Sequence, residues 1–298
     1  MQNTLLPSGL IDVLSPEAAA EADAIHALMK LYEGYGYARV KPPLAEFEDS
    51  LFSGGPGQAL SNESFRLMDP VSQRMMALRS DVTPQIARLA ASRLSKEERP
   101  LRLAYAGEVL RVSGSQLRPE REICKAGCEL IGAASIEADI EIAVLAVTGL
   151  KEIGINGITL DLALPPLIGT VYDACNIDEA SRAAFDQALE KRGADTLAGM
   201  GDAGKTLCAL MACMGESGSA LEALKKIDLP EAAKPFIDAL AQIEAKVGTA
   251  LADIGYNDVQ VSIDPVERRG FRYHTGAAFT LFADGARGEL GRGGRYTL

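Results

Sequence analysis

The sequence predicts an α+β fold: a mostly antiparallel sheet flanked by helices, with a helical insertion. Three observations predict it. Strand-like runs are joined by short polar loops, so they pair as hairpins and do not alternate with helices as a parallel sheet would require. Apolar residues recur at helical spacing in three separate stretches of the first half. Between residues 165 and 255 the chain turns rich in Ala, Leu, Glu and Lys and loses β-branched alternation.

Ser15-Pro16-Glu17 opens the first helix with a capping hydroxyl, a proline at the first helical position and an acid at the positive helix end. Ile25, Leu28, Met29 and Tyr32 form its buried stripe, and Gly34 and Gly36 stop it. A short strand over 37–41 meets Pro42-Pro43. Strands at 64–68 and 75–78 follow, turned by Asp69-Pro70. The helix after Asp81-Val82-Thr83-Pro84 carries Ile86, Leu89, Ala90 and Leu94 and ends before Pro100. Residues 101–112 and 121–131 read as an antiparallel hairpin around the polar loop 113–119. A helix over 135–153 carries Ile136, Ile140, Ala143, Val144, Val147 and Leu150, and Gly154 stops it. A strand at 158–164 closes the first part of the core, 1–164. The insertion, 165–255, reads as several short helices. Strand signals return in the second part of the core, 256–298, at 259–263, 277–282 and 287–290. The last residues, GRGGRYTL, follow a strand-like stretch with no helix to cover it, so the natural protein is expected to continue beyond them.

At 298 residues, 47% hydrophobic and 24% charged, the composition is that of a globular chain with one large domain or two ordinary ones. No apolar run approaches the roughly 20 residues that span a bilayer. The N-terminus lacks the basic-then-apolar pattern of a secretory signal. The cytoplasm is the expected location, with no membrane partner. A net charge of −11 argues against a free-standing nucleic-acid binder, whose affinity comes from phosphate contacts. Cys124, Cys128, Cys175, Cys208 and Cys213 show no C-x-x-C spacing, and His26 and His274 are the only histidines. Reduced, mostly buried thiols are expected, with no zinc site and no cofactor.

Gly199-Met200-Gly201-Asp202-Ala203-Gly204-Lys205-Thr206 matches the phosphate-loop pattern G-x-x-x-x-G-K-[ST]. That pattern works when a buried strand delivers the glycine loop to a helix start. Residues 185–198 read as helix and loop, so a glycine-rich turn between two helices is expected here.

Four further segments carry the chemistry. Gly36-Tyr37-Ala38-Arg39-Val40-Lys41-Pro42-Pro43 is a helix end and strand closing on proline. Leu78-Arg79-Ser80-Asp81-Val82-Thr83-Pro84 puts an acid and a threonine at a helix start, where each suits a cap and a ligand contact equally. Tyr105–Arg111 and Arg121–Gly132 carry Arg111, Lys125 and Glu129 on paired strands, and a planar guanidinium suits phosphate or carboxylate. The fourth is Arg269-Gly270-Phe271-Arg272-Tyr273-His274-Thr275-Gly276, followed by Gly293-Gly294-Arg295-Tyr296. In this order and spacing the four segments resemble the histidyl-tRNA synthetases, a class II aminoacyl-tRNA synthetase family, over most of the chain outside 165–255. The fourth discriminates most, being similar to the histidine-specific R-G-L-D-Y-Y-T-G and the later G-G-R-Y.

The resemblance implies a class II synthetase-like sheet and a dimer built on the first segment. It implies histidine or ligand contacts at Asp81, Thr83, Arg111, Lys125, Glu129, Arg269, Tyr273, His274 and Tyr296. Asp81 and Thr83 match an acid and a threonine that hold histidine, with Asp shorter than the usual Glu. Arg111 matches the arginine on the ATP α-phosphate, and Glu129 a carboxylate near the amino-acid ammonium. Arg269 matches the catalytic arginine, and Tyr273 and His274 two tyrosines near the imidazole pocket. Three positions depart from the family: Lys125 replaces a neutral glutamine, Arg272 an acid and His274 a tyrosine. A cation at Lys125 repels an ammonium a few ångströms away by on the order of 1–4 kcal/mol. Pairing with Glu129, binding an anion, or standing as a partly exposed strand residue are its alternatives. With the acidic charge, these departures resemble the branch that serves as regulatory subunit of ATP phosphoribosyltransferase, at the first step of histidine biosynthesis. That branch implies no catalytic residue, a short-form catalytic phosphoribosyltransferase as partner, histidine as effector, and no tRNA. No acidic pair followed by a Thr/Gly-rich phosphoribosyl-diphosphate loop is present in the sequence. The alternative is a histidyl-tRNA synthetase core that activates histidine with ATP and charges tRNA. A free-standing amino-acid sensor is a third reading.

Overall fold

The computed structural model describes residues 6–53, 57, 60–270 and 273–297, so Phe271 and the departure at Arg272 lie outside the described residues. The chain divides into two units. One runs up to Ala134 and adds Thr148–Gly154; the other comprises Ser135–Val147 and Ile155–Thr297.

In the first unit, helix α1 (Glu17–Gly34) buries Met29 and Tyr32. Its boundary residue is Pro16 and it has no side-chain cap, so Ser15 does not play the capping part expected of it. Gly36, at φ +81°, turns the chain in a conformation that a side chain disfavours. Strand β1 (Ala38–Arg39) then runs parallel to β5 (Leu101–Leu110). Strand β5 pairs antiparallel with β6 (Glu122–Ile131), from Leu101 opposite Ile131 to Leu110 opposite Glu122. A second sheet holds β2 (Ala45–Phe47), β3 (Arg66–Met68) and β4 (Met75–Leu78) in the order β2-β4-β3, all antiparallel. The short helix α2 (Glu48–Leu51) follows β2. Helix α3 (Thr83–Ala91) lays Ile86 and Ala90, with Val82 before it, against Leu101, Leu103, Tyr105 and Val109 of β5. Burying side chains the size of Val82 or Ile86 is worth about 1.5–3 kcal/mol each, which fixes α3 on the hairpin.

Helix α4 (Ile136–Glu152) supplies residues to both units. The second unit continues with β7 (Ile158–Ala163), whose Ile158, Leu160 and Leu162 are buried. Helices α5 (Pro165–Ala174), α6 (Glu179–Glu190), α7 (Ala194–Ala198) and α8 (Gly201–Met211) follow. Asp178 caps α6 by accepting from Ser181 N at 2.7 Å. Then come β8 (Gly215–Glu216), α9 (Ser217–Leu224) and α10 (Lys234–Asp253), with a 3-10 turn at Glu231–Ala233. Strands β9 (Gln260–Asp264), β10 (His274–Ala283) and β11 (Gly291–Tyr296) complete a five-stranded sheet ordered β11-β10-β7-β9-β8. Only β7–β9 is parallel in it.

Two further expectations change. The strand predicted at 287–290 is a turn, and pairing with β10 resumes at Gly291. Gly285 (φ +75°) and Gly288 (φ +100°) bend the chain there. The stretch 165–255 is not purely helical, because β8 pairs with β9. Of the phosphate-loop lookalike, Gly199 and Met200 form the expected turn between α7 and α8, and the rest, from Gly201 onward, is the first part of α8; a helix precedes it, and Gly204 lets α7 approach closely. A Cβ on Gly204 would lie 1.8 Å from the Leu197 carbonyl oxygen. Among the described residues, no helix is long and apolar enough to cross a membrane.

Candidate functional site

In the first unit the structure gathers Asp81, Thr83, Lys125 and Glu129. Lys125 and Glu129 lie four apart on β6, so both project from one face. That face also carries Ile123 and Ile131, which pack on the α3 core, and Gly127 between the two charges. Asp81 arrives just before α3. Its Oδ1 accepts from Thr83 N at 3.0 Å and its Oδ2 holds the Lys125 ammonium. Thr83 Oγ1 donates to Glu129 Oε1 at 3.0 Å. The acid and the threonine therefore do more than shape a helix start: both reach across to β6. Burial alone would raise the Asp81 carboxyl; the Lys125 ammonium, the Thr83 amide and Arg111 outweigh it and hold the group below the usual carboxylate range. Arg111 stands just past β5, with Nε 3.8 Å from Glu63 Oε2.

Tyr105, not singled out in the sequence, belongs to this cluster. It faces Gly127 across β5 and β6, and a Cβ on Gly127 would meet the Tyr105 hydroxyl at 2.7 Å. Burial first, then the charges of Asp81 and Glu129, push its hydroxyl well above the ordinary 10, so it stays protonated. The signal was the glycine inside a strand, which marks a close approach from the partner strand. Arg79, also inside the motif, is a staple. Buried, it donates through Nε to Glu108 O at 2.7 Å and through Nη1 to Pro42 O at 3.1 Å and Gln85 Oε1 at 3.3 Å. It ties the proline corner to β5 and α3.

In the second unit Tyr273, His274 and Tyr296 come together at the β10–β11 end. The Tyr273 and His274 ring centroids are 4.4 Å apart, and Tyr296 meets Tyr273 edge-on at 5.8 Å. His274 is buried and pairs in register with Tyr296. The two glycines of Gly293-Gly294 leave room for rings: a Cβ on either would lie 2.5 Å from Phe279 or His274. Arg295 reaches α4, at 2.9 Å from Asp139 Oδ1 and 2.6 Å from Ser135 O. Arg269 is exposed and folds onto Glu267: its N donates at 2.7 Å to Oε1 and its Nη2 at 2.7 Å to Oε2.

Donor atoms of Glu21, Glu108 and Cys124 lie within 4.8 Å of one another. Burial and the Glu108 charge push the Cys124 thiol up to about 11, which disfavours the thiolate a metal needs. Cys124 and Cys128 share the β6 face opposite Lys125 and Glu129.

The histidyl-tRNA synthetase family profile matches residues 9–298. The ATP phosphoribosyltransferase regulatory subunit of Rhodospirillum centenum is 50% identical over 293 residues, covering 98% of this chain and 74% of that protein. The regulatory subunit of Paramagnetospirillum magneticum is 48% identical, covering 98% and 76%. Among solved structures, an ATP phosphoribosyltransferase regulatory subunit/histidyl-tRNA synthetase from Bacillus halodurans superposes with TM-score 0.85 at 22% identity, covering 99% of this chain and 77% of that one. A chain of the ATP phosphoribosyl transferase (HisG:HisZ) complex from Thermotoga maritima superposes with TM-score 0.69 at 15% identity, covering 93% and 92%. Both likenesses establish the class II synthetase-like fold.

Proposed function

This chain belongs to the ATP phosphoribosyltransferase regulatory subunits within the histidyl-tRNA synthetase family, and we propose that it switches on a short-form catalytic phosphoribosyltransferase and carries histidine feedback to it. It supplies no catalytic residue; the transferase chemistry belongs to the partner. The observation that carries this reading is the Lys125 ammonium seated on Asp81. A carboxylate already neutralised from within is poorly suited to grip the ammonium of an amino acid for activation. It is suited to a site that senses a ligand and leaves it unreacted. The catalytic partner is supported by family membership and by the two-component assembly to which the similar Thermotoga maritima chain belongs.

Histidine is the proposed effector. In the first unit Asp81, Thr83, Arg111, Lys125 and Glu129 are its proposed contacts, and in the second Arg269, Tyr273, His274 and Tyr296. Inhibition requires that histidine bind one state of the assembly better than another. Self-association through the Gly36–Pro43 segment, the division into core and insertion at 165 and 255, a cytoplasmic location and the absence of tRNA binding complete the proposal.

The test is reconstitution. The purified chain is mixed with a short-form phosphoribosyltransferase, and activity is expected only on mixing, with inhibition by histidine. Asp81→Ala and His274→Ala are expected to raise the half-inhibitory histidine concentration by about tenfold each, or about 1.4 kcal/mol, the first by leaving the Lys125 ammonium uncompensated against that of the ligand and the second by removing a ring contact, with assembly by sedimentation unchanged. Unchanged inhibition constants remove those two residues from the effector site. Histidine-dependent ATP–pyrophosphate exchange by the chain alone would overturn the regulatory reading in favour of a synthetase.

A further inference from the structure

The segment from Asp264 to Gly270, which carries Arg269, is fastened to the helical stretch that follows β7 by two arginine–carboxylate pairs that cross in opposite senses. Arg192, just beyond α6, places Nη1 3.2 Å from Asp264 Oδ1, sets Nη2 on Asp264 Oδ2 and reaches Glu267 Oε2 at 3.3 Å. In the reverse sense, Arg268 Nη1 reaches Asp186 Oδ1 of α6 at 2.6 Å, and that oxygen also accepts from Tyr172 Oη of α5 at 2.9 Å. The carboxylates are shielded, with side-chain exposure of 6% at Asp264, 12% at Glu267 and 15% at Asp186, against 33% at Arg192 and 23% at Arg268. Pairs this sheltered are screened far less than surface pairs. Between the two fastenings lies a cavity of about 20 Å³, lined by Asp186, Arg192 and Glu267 among others. That is room for about one water.

Glu267 is the shared element. One carboxylate oxygen serves both Arg192 and Arg269, at 3.3 and 2.7 Å. Burial works to raise this carboxyl, and the contacts from Arg269 and Arg192 hold it below the usual range, so it stays charged for both. Two guanidinium groups dividing one carboxylate are linked: what strengthens one contact weakens the other. An anionic group that draws Arg269 away leaves Glu267 to Arg192. A shift of α6 that withdraws Arg192 leaves Glu267 to close on Arg269.

We propose that the helical stretch 165–255 is a positioning arm for Arg269, with Arg192 as the positioning residue that sets, through Glu267, how firmly Arg269 is held back from an anionic ligand. This rests on the reading of Arg269 as an effector contact, and the test separates the two. Amide hydrogen exchange is followed on the purified chain and on Arg192→Met, Arg192→Lys, Glu267→Gln and the Arg192→Met/Glu267→Gln pair. Arg192→Met is expected to speed exchange over 264–270 about tenfold, leaving β7 and the β5–β6 hairpin unchanged, while Arg192→Lys, which keeps the charge but not the two-point fork, recovers part of the protection. The double variant is expected to exchange no faster than the faster single variant, because both break one network. Unchanged exchange over 264–270, or an equal rise throughout the second unit, overturns the positioning arm. If Arg192→Met leaves too little folded protein, Arg192→Lys and Glu267→Gln decide on the same criteria. In the reconstituted complex, Arg192→Met is expected to move the half-inhibitory histidine concentration by about threefold or more at unchanged uninhibited activity. Faster loop exchange with unmoved inhibition keeps the positioning arm and removes Arg269 from the effector contacts.

Discussion

Asp161→Asn is expected to make the protein more stable, and by an amount that depends on pH. Asp161 sits on β7, opposite Thr280 of β10 and Ser262 of β9, and its Oδ1 accepts the Ser262 hydroxyl. Burial is the main influence on its carboxyl; Ser262 and Arg192 oppose it, the charges of Asp264 and Glu267 add to it, and the result is a group that titrates at about 6 against an ordinary 3.8. The folded chain therefore binds this proton more tightly than the open chain, so the group's effect on stability worsens as pH rises from 3.8 and levels off above 6. The difference corresponds to about 3 kcal/mol lost at about pH 7.5 and about 1.5 kcal/mol at about pH 5. Asparagine keeps an oxygen for the Ser262 hydroxyl and removes the charge. Urea titrations of both proteins at the two pH values give the difference directly, with every other titrating group common to both. A gain that is the same at the two pH values, or a loss near neutrality, would refute the argument.

Two further substitutions probe the scaffold. Gly204→Ala forces a Cβ to within 1.8 Å of the Leu197 carbonyl oxygen, a backbone atom that cannot swing aside, and is expected to cost about 3 kcal/mol in chemical denaturation; a neutral outcome would mean that α7 and α8 do not cross there. Lys125→Met leaves Asp81 charged and under-compensated. With side chains 27% and 22% exposed, the expected cost at about pH 7 is about 2 kcal/mol, below that of a fully buried pair. Because the carboxyl of Asp81 is lowered in the fold, the stability it contributes is present above its ordinary 3.8 and disappears as pH falls through the folded value. The deficit of the variant should shrink in the same acid range, and a deficit independent of pH would show that Lys125 acts through packing alone.

What could be read from the sequence is what depends on neighbours along the chain. The hairpin of β5 and β6 declares itself because one polar loop sets its register, and the two-residue period of a strand then places Lys125 and Glu129 side by side. Helix α3 declares itself through Ile86, Leu89 and Ala90. What could not be read depends on partners far apart. Asp81 and Lys125 are 44 positions apart, and Arg192 and Glu267 are 75 apart. No local pattern distinguishes Lys125 pairing with Asp81 from the pairing with Glu129 considered among its alternatives. Strand β11 was missed at 291–296 for a different reason. Its glycines have low strand propensity and are explained only by the rings of Phe279 and His274 that lie against them.

On the proposed reading, each unit also meets, from within, a charge that a ligand would otherwise meet. For an ammonium approaching Asp81, the gain is the difference between two ammonium–carboxylate contacts, because Lys125 is already there. That difference is small, while repulsion between the two cations remains at on the order of 1–4 kcal/mol. An anion approaching Arg269 meets the same arithmetic against Glu267. Tight capture is thereby given up, but the displaced partner is left free to act. Release of Lys125 loosens the link between the start of α3 and β6; release of Glu267 hands it to Arg192. A ligand that must trade places with an internal counterion binds weakly and moves the protein when it does, which is the balance a feedback sensor requires and a synthetase, built to hold two substrates for reaction, does not.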